Sequence, residues 1–92
     1  FPDNIPRVLP KAANAEIDRA SWEVPTIFKF IQNQGKVDVE EMYRVFNMGI
    51  GFVVILAKKD LKKAERALKS INQPYSVIGV CRKGTGVVTY RN

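Results

Sequence analysis

The sequence predicts an α+β fold, a mixed sheet packed with helices, and three observations predict it. Met42, Val45 and Phe46 fall at i, i+3 and i+4, the apolar stripe of an amphipathic helix. Residues 50–57, just past it, are apolar on both parities, the pattern of a strand covered on both faces. Residues 60–71 return to helical spacing, with Leu61, Ala64, Leu68 and Ile71 inward and Lys62, Lys63, Arg66 and Lys69 outward. A lone strand is unstable in water, so residues 50–57 and 75–81 are expected to share one sheet.

In the first ten residues Ile5, Val8 and Leu9 have helical spacing, Pro6 is tolerable only in a first turn, and Pro10 stops the helix behind it. One or two turns are expected. Asn4 and Arg7, three apart, share a side of that turn, where an amide and a guanidinium could reach an anionic ligand; capping and a surface ion pair are the plainer use. Residues 15–18 alternate small or apolar with acidic, which predicts a short strand near an edge. Glu16 and Asp18 then point the same way, and a solvated face suits them better than acid/base or metal chemistry.

Pro25 opens a helix in which Ile27, Phe28 and Ile31 form a stripe widened by Phe30, and Gly35 ends it. Trp22, Phe28 and Phe30 are expected in the core, because only Lys29 is interleaved with them and a base-stacking platform needs more cations. The next helix begins near Val39: Asp38 can cap it, Glu41 can reach back, and Val37 can staple onto Met42. Asn47 to Gly51 end that pattern with residues that tolerate φ > 0. Such a turn lies at a sheet end, where backbone amides and the Asn47 carboxamide can meet a ligand; a cap that needs only left-handed geometry is the competing use.

Asp60 caps the basic helix, and Lys58 and Lys59 lengthen its charged face. No aromatic or base-reading side chain accompanies these cations, so a solvated face is favoured over a nucleic-acid or membrane surface. Gln73-Pro74 breaks the helix, residues 75–81 form a strand, and residues 83–86 turn it into residues 87–90, which predicts a terminal hairpin. Cys81 is expected as a buried strand thiol. The glycine pairs at 49/51 and 84/86 lack the remainder of any phosphate-loop fingerprint.

With 92 residues there is one domain, burying roughly 60 to 68% of its unfolded surface. Histidine is absent, which removes Ser-His-Asp and Cys-His nucleophile systems and imidazole metal sites. One cysteine makes no internal disulfide, and no CxxC or His/Cys cluster supplies zinc. The uncharged run 48–57 is ten residues, about half the roughly 20 that span a bilayer. A net charge of +6 favours anionic partners without choosing among them.

Taken together, residues 4–10, the Glu16-Ile17-Asp18 strand with Ser21-Trp22, and residues 40–51 (Glu-Glu-Met-Tyr-Arg-Val-Phe-Asn-Met-Gly-Ile-Gly) closely resemble the C-terminal domain of phosphoribosylformylglycinamidine cyclo-ligase, also called aminoimidazole ribonucleotide synthetase. The resemblance covers nearly the whole chain in order, ending with residues 75–79. It departs at Val45, where that family usually has threonine, and at Phe30, where it usually has tryptophan. It implies the fold of the aminoimidazole ribonucleotide synthetase-like superfamily. Residues 1–92 would be a single C-terminal domain fragment of a two-domain synthetase, without its N-terminal ATP-binding domain and glycine-rich loop.

The implied reaction is the ATP- and Mg2+-dependent closure of the imidazole ring of formylglycinamidine ribonucleotide, giving aminoimidazole ribonucleotide, in a cytoplasmic homodimer of purine biosynthesis. The active site would form between domains and across that dimer, ATP and magnesium being held mainly outside this fragment. Asn4, Arg7, Phe46, Asn47 and Gly49 are the expected substrate-binding wall, with no catalytic residue assigned, no metal ligand, and neither nucleic acid nor membrane as partner. The fragment alone is expected to be inactive and to self-associate. Two alternatives stay open: a small basic module binding nucleic acid or acidic protein through residues 58–69, and the C-terminal domain of a related synthetase such as formylglycinamidine ribonucleotide synthase.

Overall fold

Residues Ala13–Asp18 form β1, and in this computed structural model, which describes residues 1–91, β1 is the middle of a three-stranded sheet. On one side β2 (Gly79–Lys83) runs antiparallel, with Ala15 opposite Cys81; on the other β3 (Val88–Arg91) runs parallel, with Ile17 opposite Tyr90. The sheet is mixed and the fold is α+β, as the patterning predicts. The edge position expected for β1 is overturned, and so is the terminal hairpin, because β2 and β3 flank β1 instead of pairing with each other.

The reason lies in the connection between β2 and β3. Asn14 Oδ1 accepts hydrogen bonds from the backbone N–H groups of Thr85, Gly86 and Val87 at 2.8, 3.1 and 3.0 Å, while Gly84 N–H donates to Ala12 O at 2.8 Å. These bonds tie the loop to the start of β1, so the chain passes across that strand and emerges on its far side. A Cβ on Gly84 would lie 2.1 Å from Asn14 Cγ, so only glycine admits the carboxamide. Gly79 meets the same limit against Glu16 O, also at 2.1 Å.

Before the sheet, Ile5–Arg7 make one 3-10 turn. After β1 come α1 (Thr26–Gly35) and α2 (Val39–Val45), and later α3 (Leu61–Ser70), entered through a 3-10 turn at Lys58–Asp60. The start of α2 at Val39 agrees with its pattern, and Val37 packs on the Met42 cluster as a staple should. Neither Asp38 nor Asp60 makes a side-chain capping hydrogen bond, however. Pro25 stands as the N-cap of α1, one position before its first turn, and at the far end Lys36, not Gly35, takes the left-handed conformation (φ 52°).

Two buried clusters form the core. Ile5, Leu9, Ala15 and Ile17 make the first beneath the sheet; Met42, Tyr43 and Met48 make the second against α1 and α2. Trp22 and Tyr90 touch both and join them. Phe28 reaches the second cluster, edge-on to Phe46, but Phe30 faces solvent, a correction to its expected core place.

The largest departure concerns residues 50–57. They join no strand ladder, and residues 51–56 make no backbone hydrogen bond among the described residues. Residues 75–78 likewise precede β2 without pairing as part of it, so the shared sheet expected for 50–57 and 75–81 does not form. Phe52 is 87% exposed and Val54 68% exposed. Along α3 the apolar residues Leu61, Ala64 and Leu68 are half-buried and Ile71 is exposed. Cys81 is also exposed, because β2 is an edge strand with no layer packed over it.

Candidate functional site

The 3-10 turn at Ile5–Arg7 and the C-terminal end of α2 meet along a groove lined by Asp3, Asn4, Arg44, Phe46, Asn47 and Ile50. Three of the five expected wall residues, Asn4, Phe46 and Asn47, therefore share one surface. The other two do not line it. Arg7 is exposed away from it, since its turn buries Ile5 and Leu9, and Gly49 faces the opposite side of its loop, against Pro25.

The turn that carries Asn47 is held by its own bonds. Asn47 Oδ1 accepts from Gly49 N–H at 2.8 Å, and Ile50 N–H donates to Asn47 O at 3.0 Å. Met48 adopts φ 53° with its side chain buried, and its carbonyl accepts the Trp22 indole N–H at 3.0 Å. Gly49 has φ 101°, and a Cβ there would sit 2.4 Å from Pro25 Cδ. The Asn47 Oδ1 is thus spent on the turn, and Asn47 also lines the groove.

Arg44 brings the groove its cation. Its Nε donates to Glu41 Oε2 at 3.0 Å, and that pairing raises the Arg44 pKa and lowers the Glu41 pKa. Asp3, on the opposite lip, also acts to hold Arg44 charged. The arrangement can position a polar, anionic or flat ligand: two amides and a guanidinium for hydrogen bonds, and the Phe46 ring for a stacked face. It offers one carboxylate, Asp3. Among the described residues no three His, Cys, Asp or Glu side chains stand together.

Sequence reading passed over Arg44 as a site residue, although its spacing from Glu41 marks it as an ion-paired position on α2. It also missed Arg19, for which no local signal exists. The Arg19 guanidinium lies over the rings of both Tyr43 and Tyr90, 4.3 and 4.1 Å from their centroids, and donates to both Glu40 carboxylate oxygens at 2.7 and 2.8 Å. Those bonds hold Glu40 below the ordinary carboxylate range. The clasp locks α2 to the sheet, and with it the groove's α2 side.

Glu16 and Asp18 lie on the outer face of β1 and are paired, Glu16 with Arg82 at 3.1 Å and Asp18 with Arg91 at 3.3 Å. The Asp18 pKa is lowered first by the Ala20 N–H and then by Arg91. Both carboxylates are engaged by arginines of the flanking strands, which favours the solvated-face reading.

The sequence matches the family described as AIR synthase related protein, C-terminal domain, over residues 1–91. The chain belongs to this family. Its relatives include phosphoribosylformylglycinamidine cyclo-ligases from Caldanaerobacter subterraneus subsp. tengcongensis (48% identical, covering 96% of this chain and 26% of the relative) and Bacillus subtilis (46% identical, 95% and 25%). A third, from Pseudothermotoga lettingae, is 49% identical over 84% of this chain and 23% of its own length. The chain therefore spans about a quarter of the length of the curated relatives it matches.

Proposed function

We propose that this chain is the C-terminal-domain portion of an ATP-dependent cyclo-ligase that closes the imidazole ring of formylglycinamidine ribonucleotide, giving aminoimidazole ribonucleotide in purine biosynthesis. The observation that carries this reading is identity of 46 to 49% to enzymes of that name across most of the chain. In this reading ATP, whose phosphoryl chemistry would activate the formyl oxygen, and magnesium are held by the rest of the enzyme. A cytoplasmic homodimer, with the upstream ATP-binding domain as intramolecular partner, belongs to the same proposal. Among the described residues no helix is long and apolar enough to cross a membrane.

The part assigned to this chain is positioning. Asn4 and Asn47 amides would hydrogen-bond polar edges of the substrate, Arg44 would face its phosphate as a fixed cation, and Phe46 would stack on its flat portion. The 92-residue chain by itself is expected to show no ATP-dependent turnover.

The test replaces the matching quarter of the Bacillus subtilis cyclo-ligase with this chain and measures cyclisation. Asn47→Asp keeps the Oδ1 acceptor that closes the turn and removes the Nδ2 donor, so it separates binding from capping. A fall in kcat/KM of about tenfold to a hundredfold for Asn47→Asp and Asn4→Ala, with an unchanged Tm, is expected. Wild-type kcat/KM in both variants would remove the groove from the site.

A further inference from the structure

Residues 50–56, the apolar face of α3 and residues 77–80 surround a second, larger hollow whose floor is Ala15 and Ile17 of β1 with Ile5 of the first 3-10 turn. Its walls are mainly apolar, with Phe52, Val54, Leu56, Leu61, Leu68 and Val77 lining it. A run that is apolar on both parities needs cover on both faces, and an extended backbone without a ladder needs a partner for its N–H and C=O groups. Among the described residues neither is supplied in full.

We propose that this hollow seats a β-strand from the part of the enzyme outside these 92 residues, hydrogen-bonded along residues 51–56 and packed between α3 and the sheet. The proposal rests on the cyclo-ligase reading above, because it is the relatives' length, about four times this chain, that supplies an occupant from the same polypeptide. The chemistry required of that strand follows from the walls. Its middle must be apolar toward α3, and any charge must lie at its ends, where Lys58, Glu65 and Arg82 edge the hollow. The rim carries mixed charge, Lys58 and Arg82 with Glu23 and Glu65, so a second copy of this chain is told apart from that strand by the concentration dependence of the exchange described below.

Amide hydrogen exchange tests this in the isolated chain and in the Bacillus subtilis enzyme carrying it. In the complete enzyme the amides of residues 51–56 should exchange about a hundredfold more slowly than in the isolated chain. Phe52→Asp should abolish that protection and lower the Tm of the complete enzyme while leaving the Tm of the isolated chain unchanged. Equally fast exchange in both forms would overturn the proposal. Protection that appears in the isolated chain as its concentration rises would also overturn it, by showing a second copy in the hollow. The cyclisation assay keeps the two readings apart: an active enzyme with unprotected amides sinks the strand, and a protected but inactive enzyme sinks the function.

Discussion

Residues 1–49 and 50–78 have similar apolar content and opposite fates. In the first region Met42 is fully buried, and Ile5, Leu9, Ile17 and Met48 are buried with it. In the second Phe52, Val54, Ile71 and Val77 face water. A radius of gyration of 14.4 Å, against roughly 12 Å for a compact chain of this length, reflects that open half. The first region is tied to residues distant in sequence by Arg19, Trp22 and Asn14, whereas the second has α3 and a hollow. Hydrophobic patterning states how much cover a segment needs; it does not state where the cover comes from.

The widest contrast is expected from truncating one large apolar side chain in each region. Met42→Ala should cost about 3 kcal/mol in urea unfolding of the isolated chain, because it opens a cavity in a closed cluster. Phe52→Ala should cost less than about 0.5 kcal/mol there. Equal costs would mean that the second region packs in solution.

Gly49→Ala sets backbone strain and a clash with the Pro25 ring at the boundary between the regions, and should cost about 2 kcal/mol by the same measurement. No loss of stability would show that the turn after α2 is free to shift. Asn14→Ala strips one acceptor from three amides and should cost about 1 to 2 kcal/mol, while Asn14→Asp, which keeps an acceptor there, should retain most of the stability. If both variants behave alike, the loop between β2 and β3 does not depend on that oxygen.

The smallest effect is the acid response of the Arg19–Glu40 clasp. Glu40 titrates below its ordinary value of 4.5 in the folded protein, through the hydrogen bonds from Arg19, so the unfolded chain takes the proton first as pH falls. The clasp's contribution is therefore complete above about pH 4.5 and is lost as pH drops through the lower folded value. Thermal unfolding of Glu40→Gln should show a shallower decline of Tm than wild type between about pH 5 and 3. Parallel curves would mean that the clasp stabilises nothing.

Where a side chain's partners were near in sequence, its role was legible. Met42, Val45 and Phe46 announced α2, Pro25 and the residues after it announced α1, and the alternation at 15–18 announced β1, because helix and strand periodicity are local consequences of backbone geometry. Residues 4–10 and the motif around residues 40–51 also led to the family, and to Asn4, Phe46 and Asn47, which share the groove. Arg7 and Gly49 fall outside that groove because spacing along a turn does not say which neighbour the turn packs on. The central place of β1, the β2–β1–β3 order, the Arg19 clasp and the exposure of Cys81 and residues 50–57 were decided only by tertiary structure. Each depends on residues tens of positions apart, as when Asn14 captures the amides of residues 85–87, and such pairings leave no periodic trace in the chain that makes them.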